Sequence, residues 1–303
     1  MIRPPFLKYD DKAVILSPAG NIEETTVHRA AAILCEWGLK VDVSEHALNA
    51  TGRFSGFVDQ RLTDLQNAFD DSTVKLILCS RGGYGTVHLI DKLNYKRIQQ
   101  HPKWVIGFSD ITLLHAALQS HNIISIHGPM AKHFADEGAQ DVSVRFTKAI
   151  IAGQPLLYKI PVQQYGHLNR FGKATGRLFG GNLSNFCSIL GTPYAKIPKN
   201  GILFIEDISE APYKVDRYIN HLKLAGVFDK ISGLIVGQFN DYEEDSDMYT
   251  ALYESISASV SEYNFPICFD FPVGHVKYNF PMIMGEIAFL TISEKQIDFK
   301  QFV

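Results

Sequence analysis

Trp104-Val105-Ile106-Gly107-Phe108-Ser109-Asp110-Ile111-Thr112 decides how this chain is read. Trp104 to Ile106 is a short apolar run, as in a strand buried on both faces. Ile111, Leu113, Leu114, Ala117 and Leu118 then recur like one face of a helix. Ser109 therefore falls where a buried strand turns sharply into a helix. Helical N–H groups and the macrodipole favour negative charge at such a point. A hydroxyl there suits a nucleophile whose reaction builds an oxyanion. The plainer alternative is that Ser109 or Asp110 caps the helix.

Working outward, strand and helix alternate through the first 150 residues. Ala13 to Leu16, Lys40 to Val43, Val74 to Cys79, Trp104 to Phe108 and Ile123 to Ile126 read as strands. Val27, Ala30, Ala31, Leu34 and Trp37 stripe one intervening helix, with Gly38 placed to end it. Val58, Leu62, Leu65 and Phe69 stripe another. Apolar strands separated by helices predict a parallel sheet covered on both faces. Ligands of such sheets bind beyond the carboxyl ends of the strands.

The stretch 153–170 carries Gly153, Pro155, Pro161 and Gly166 with little periodicity, and reads as a linker. Beyond it, Ile202 to Ile205 and Leu234 to Val236 read as strands. Val215, Ile219, Leu222 and Ala225 stripe a helix, and Leu252, Tyr253, Ile256 and Val260 another. Strands near 267–269, 283–290 and 296–299 finish the chain. The expected fold class is α/β: a Rossmann-like parallel-sheet domain over 1–152, the linker 153–170, and a smaller mixed α/β domain over 171–303.

The 303 residues carry a net charge of −3 with no long run of one sign, which argues against a nucleic-acid partner. No apolar stretch reaches the roughly 18 residues that span a bilayer. Met1 to Lys8 lacks the apolar segment of a secretory signal. Cys35, Cys79, Cys187 and Cys268 form no CxxC pair and read as buried thiols in a reducing compartment. The expected location is the cytoplasm.

Three strand ends in the first domain carry small or glycine-rich turns: Ser17-Pro18-Ala19-Gly20, Ser80-Arg81-Gly82-Gly83-Tyr84-Gly85, and Gly107-Phe108-Ser109-Asp110. Gly82-Gly83 leaves backbone N–H groups uncovered for a ligand. Gly-x-Gly-x-x-Gly and the Walker lysine are both missing, so an oxyanion-binding loop or a simple tight turn explains the glycines better than a nucleotide site. Glu206 and Asp207 follow the strand Ile202 to Ile205. Asp207 or Ser209 is placed to cap the next helix, whereas Glu206 joins an apolar run and needs a partner. His275 sits in the turn Phe271-Pro272-Val273-Gly274-His275. No histidine pair has metal-ligand spacing. Ser109, Glu206 and His275 supply a nucleophile, an orienting carboxylate and a base. Ile111 stands where the Gly-x-Ser-x-Gly elbow has its second glycine, so an ordinary α/β-hydrolase does not fit.

These segments, together with His127-Gly128-Pro129-Met130, Gly180-Gly181-Asn182-Leu183, Phe204-Ile205-Glu206-Asp207 and Gly274-His275, resemble the LD-carboxypeptidases, or murein tetrapeptide carboxypeptidases. That family also includes the microcin C self-immunity peptidases. The matches run in family order over nearly the whole chain. The resemblance implies Ser109 as nucleophile, Glu206 as triad carboxylate and His275 as base, assembled across two domains. It implies backbone oxyanion donors at Asp110 and Gly83, a homodimer, and neither metal nor cofactor. The implied reaction releases the terminal D-alanine of a muropeptide tetrapeptide during cytoplasmic recycling of wall peptides. Arg81 is a candidate for the substrate's terminal carboxylate, with Tyr84 beside it. Arg217 is the weaker candidate, better read as a brace to Glu206, Asp207 or Asp216. Two rivals stand beside this reading. One is a microcin-immunity-type peptidase acting on aminoacyl nucleotides, disfavoured because Trp37 and Trp104 both read as core. The other is a non-catalytic two-lobed binding protein.

Overall fold

The computed structural model describes residues 1–302. Two compact units emerge, Met1–Gln154 with Phe280–Gly285, and Pro155–Asn279 with Glu286–Phe302.

In the first unit, β1 (Lys12–Leu16), α1 (Glu24–Glu36), β2 (Lys40–Val43), α2 (Val58–Asp70), β3 (Val74–Cys79), α3 (Tyr95–Gln100), β4 (Trp104–Gly107), α4 (Thr112–Ser120) and β5 (Ser125–His127) alternate, followed by α5 (Ala131–Glu137) and α6 (Val142–Ile151). The parallel order is 2-1-3-4-5. This is a doubly wound sheet, whose strand order reverses between β1 and β3. The turns after β1 and β3 therefore flank the crevice where such folds bind ligands. Ala13, Ile15, Leu76 to Leu78 and Trp104 to Ile106 are fully buried, as strands covered on both faces must be.

The second unit holds β6 (Leu156–Pro161), β7 (Gly172–Asn182), α7 (Leu183–Ser188), β8 (Gly201–Ile208), α8 (Pro212–Leu224), β9 (Ile231–Asn240), α9 (Leu252–Ser259) and β10 (Ile267–Cys268). After β11 (Met282–Met284) it closes with β12 (Ile287–Ile292) and β13 (Gln296–Gln301). Its sheet order is β10-β9-β8-β7-β12-β13-β6. The β7 to β10 half is parallel and the β12, β13, β6 half antiparallel. Val215, Ile219 and Leu222 on α8 bury with Leu203, Ile205 and Val236 in one core cluster. Pro212 opens that helix, where its missing N–H costs nothing.

Four expectations are corrected. The stretch 153–170 is not an unstructured linker, because Leu156–Pro161 is β6 and pairs antiparallel with β13. Buried and exposed residues alternate along β6, as in a strand with one solvent face, a pattern the prolines and glycines around it mask. The single strand expected near 283–290 is two. Gly285, at φ +83°, breaks it, so β11 joins β5 as an antiparallel edge of the first unit while β12 pairs with β7. Cys35 is exposed, on the outer face of α1. Trp104 is core, but Trp37 is only partly buried, between Phe134 and the ammonium of Lys148.

Candidate active site

Ser109 leaves the end of β4 in a left-handed conformation, φ +63°. A non-glycine residue seldom adopts it, and the strain collects at functional turns. Phe108 before it is extended, and a 3-10 turn over Ser109–Ile111 leads into α4. Gly107 is obligatory here, since a Cβ would lie 2.9 Å from the Ile111 side chain. Ile111, the residue that departs from the Gly-x-Ser-x-Gly pattern, fills the space behind the turn.

Gly82 lies against the serine: a Cβ on it would fall 2.8 Å from Ser109 Cβ, 3.0 Å from Oγ and 3.6 Å from the Asp110 amide nitrogen. Only glycine lets the β3 turn approach this closely. Gly20 N–H donates to the Gly82 carbonyl at 3.2 Å. Across a planar trans peptide, the N–H of Gly83 points the opposite way from that carbonyl. Gly83 itself is exposed, at φ +122°. Ser17 and Ser80 tie the two turns together through a 2.6 Å hydroxyl contact. Arg81 donates from Nη1 to the Asn21 carbonyl at 3.3 Å, and its Nε is buried without a protein acceptor. Tyr84, about half exposed, stands edge-on to His88 and tilted against Phe54.

In the second unit, His275 Nδ1 lies 2.8 Å from Glu206 Oε2. A carboxylate only accepts, so Nδ1 carries the proton and Nε2 of the neutral ring holds the basic lone pair. Glu206 is fully buried inside β8, which continues to Ile208, and does not follow the strand as expected from Ile202 to Ile205 alone. Facing it, β9 has an extra residue: Ile205 opposes Val236, but Asp207 opposes Phe239. Bulges of this kind re-aim side chains beside functional groups. Gly274, at φ +126°, brings the histidine turn in; a Cβ there would sit 3.0 Å from both Cβ and Oε2 of Glu206. Asn279 Oδ1 accepts from the Gly274 N–H at 3.0 Å, and Gln238 N–H donates to the Val273 carbonyl at 3.0 Å. Burial alone would lower the His275 pKa. The charge and hydrogen bond of Glu206, aided by Asp207, outweigh it and raise the pKa above its ordinary value.

Asp207 points to the other face of β8, as strand geometry requires. It accepts from Asn182 Nδ2 at 2.7 Å and from the Ser184 N–H at 2.8 Å, so it serves the start of α7 and not α8. Ala211 holds the N-cap position of α8, and the Ser209 hydroxyl donates to Asp241. Burial, then the charge of Glu206, pushes Asp207 up to about 6. Among the described residues Arg217 makes no ion pair with Glu206, Asp207 or Asp216; its guanidinium stands 5.6 Å over the Tyr213 ring. Among the described residues, no group of three or more His, Cys, Asp or Glu side chains is placed to hold a metal ion. None of the helices there is long and apolar enough to cross a membrane.

Residues 14–128 match the LD-carboxypeptidase N-terminal domain, and 175–290 match the C-terminal domain of the same family. The chain is 33% identical to a probable murein peptide carboxypeptidase of Bacillus subtilis, over 97% of this chain and 92% of that protein. It is similar in fold to the crystal structure of a muramoyltetrapeptide carboxypeptidase from Oxalobacter formigenes, with a TM-score of 0.88 and 25% identity over 96% of this chain and 99% of that one. The microcin C7 self immunity protein MccF shares the fold at 21% identity, with a TM-score of 0.88 over 98% of each chain. By these matches the chain belongs to the LD-carboxypeptidase family, and it is a serine-type carboxypeptidase.

Proposed function

We propose that this enzyme releases the terminal D-alanine from murein tetrapeptides, with Ser109 as nucleophile, His275 as base and Glu206 as the carboxylate that orients it. The observation that carries this reading is the 2.8 Å contact of His275 Nδ1 with a buried carboxylate, which commits Nε2 to proton transfer. Nε2 takes the Ser109 proton as Oγ attacks the carbonyl preceding D-alanine. The backbone N–H groups of Asp110 and Gly83 receive the oxyanion; one such donor is worth about 10²–10³ in turnover. The intermediate collapses, the imidazolium protonates the departing amine of D-alanine, and water then cleaves the acyl-enzyme with His275 again as base. Arg81 offers a charged donor for the substrate's terminal carboxylate, and Tyr84 a wall beside it. We place the reaction in cytoplasmic recycling of wall peptides, carried out by a homodimer.

The test is D-alanine release from a tetrapeptide by the wild-type enzyme and by Ser109→Ala. Activity retained in the variant refutes the assignment of the nucleophile. MccF, whose fold this chain shares, has been solved in complex with aspartyl sulfamoyl adenosine, which keeps one competing substrate in view, an aminoacyl nucleotide. Assaying both substrates side by side ranks them by kcat/KM, and sedimentation velocity scores the dimer.

A further inference from the structure

Two buried, oppositely charged side chains hold the glycine turn after β3 from both of its sides, and the mechanism above uses neither. Asp110, which follows the nucleophile directly, is fully buried. Its Oδ2 accepts from the Thr86 N–H at 2.8 Å. Thr86 is the first residue after the turn Gly82-Gly83-Tyr84-Gly85 and begins a short 3-10 helix. Arg61, on α2, is 2% exposed. Its Nη1 donates to the Gly85 carbonyl at 3.0 Å and to the Pro18 carbonyl at 2.7 Å. One guanidinium nitrogen thus joins the turn after β1 to the turn after β3. Gly85, at φ +130°, is shaped around it: a Cβ would lie 2.6 Å from Arg61 Nη1. Phe54 covers the guanidinium, 5.1 Å from ring centre to carbon. Burial raises the pKa of Asp110 and lowers that of Arg61, and each charge pulls the other part of the way back toward its ionised form.

Burying an arginine and an aspartate strips each ion of hydration at a substantial cost. A surface turn of four residues does not need that expense to stay folded. The two charges meet the turn at its final residue and at the one beyond, in the same turn as Gly82, which lies against Ser109.

We propose that Arg61 and Asp110 form a charged clamp that fixes the Gly82–Gly85 turn against the nucleophile, and that they act as positioning residues for the oxyanion site. Asp110 then has two separate tasks: its amide donates to the oxyanion, and its carboxylate sets where the Gly83 amide stands. The inference rests on the carboxypeptidase reading.

The experiment compares wild type with Arg61→Met, Asp110→Ala, Asp110→Asn and the double variant Arg61→Met/Asp110→Ala in the full chain. Turnover, KM, affinity for a peptide boronic acid that forms a tetrahedral adduct on serine, and amide exchange over residues 82–88 are measured together. Displacing a supporting group typically costs about 10- to 100-fold in activity. The expected result is a kcat loss of that size, an equal loss of boronate affinity, and KM within about twofold of wild type. Amides of Thr86 to His88 exchange at least about tenfold faster in the variants. The double variant is no worse than the poorer single, because the pair acts through one turn. Asp110→Asn keeps the volume but loses the charge that strengthens the bond to Thr86, so its losses are the smallest of the set, and it decides the matter if the others unfold. Unchanged kcat and boronate affinity in folded variants overturn the clamp, as does a loss confined to KM. A wild type with neither D-alanine release nor a boronate adduct sinks the carboxypeptidase reading instead. Exchange at Thr86 then scores the clamp alone, and unchanged exchange in Asp110→Asn and Arg61→Met ends it.

Discussion

His115 in the first unit and His275 in the second are both held by short polar contacts, and their partners differ in charge. Both are largely buried, and both fix their tautomer through short contacts. His115 Nε2 lies 2.8 Å from the Gly107 carbonyl, and its Nδ1 lies 2.8 Å from the Ser125 hydroxyl. The carbonyl only accepts, so Nε2 carries the proton and Nδ1 accepts from Ser125. Its partners are neutral, and burial therefore holds its pKa down to about 4, against a smaller upward pull from Gly107. His275 feels the same burial, but its partner is a carboxylate, and its pKa rises. The formal charge of one neighbour decides whether burial lowers or fails to lower the pKa of an imidazole. His115 braces the end of the strand that leads to Ser109, while His275 is the base in the mechanism we propose.

The two histidines separate first in turnover. Ser109→Ala and His275→Ala are each expected to lose about 10⁴-fold or more in kcat, with the double variant little worse, since the residues work as a unit. His115→Gln loses far less, because a glutamine amide can still donate to Gly107. D-alanine release checks all four. Glu206→Gln comes next, at about 10³–10⁴-fold, since an amide no longer stabilises the imidazolium. The pH profile sharpens this. Catalysis needs the neutral ring, so wild-type kcat/KM falls on the acid side with a midpoint above the ordinary histidine value of about 6.5. In Glu206→Gln that midpoint moves down.

Stability separates the two histidines in the opposite sense. Unfolded, His115 binds its proton near the ordinary value; folded, it resists until about 4. The unfolded state holds more protons in between, so stability falls as the pH drops through that window, on the order of 3 kcal/mol in all. His115→Gln should flatten this slope in thermal midpoints taken from pH 7 to 4. For His275 the folded pKa is the higher one. Its contribution is complete at low pH and is lost as the pH rises through the folded value. The smallest effect lies away from both rings. Asp141 caps α6 by accepting from the Ser143 and Val144 N–H groups, and Asp141→Ala should cost about 1 kcal/mol in urea unfolding.

Legibility followed the range of the forces. Val74 to Cys79 reads as a strand from its own apolar run, and β3 occupies that span. The Gly38 stop reads equally well, because a left-handed turn after a helix is a local demand. β6 was hidden, since its pairing partner β13 lies more than a hundred residues away and its flanks carry turn residues. Arg61 was hidden for a similar reason. On a helix with Asp59, Gln60 and Asp64 around it, it reads as part of a solvated face, and only its acceptors at Pro18 and Gly85 show it to be buried. Asp207 looked like a cap for the helix that follows it, but strand alternation turned it to α7 instead.

Alternating apolar runs and helical stripes, with glycine at the strand ends, were enough to determine a parallel α/β sheet and to single out Ser109, Glu206 and His275 as candidate chemistry. Those signals are written in neighbouring residues, where periodicity and turn preference act. Tertiary structure alone decided that β11 returns to the first unit, that an extra residue in β9 faces Glu206, and that a carboxylate lies 2.8 Å from the His275 ring. Such facts depend on residues far apart in sequence being brought within a few ångströms, where hydrogen bonds and burial set protonation, and no local pattern encodes that distance.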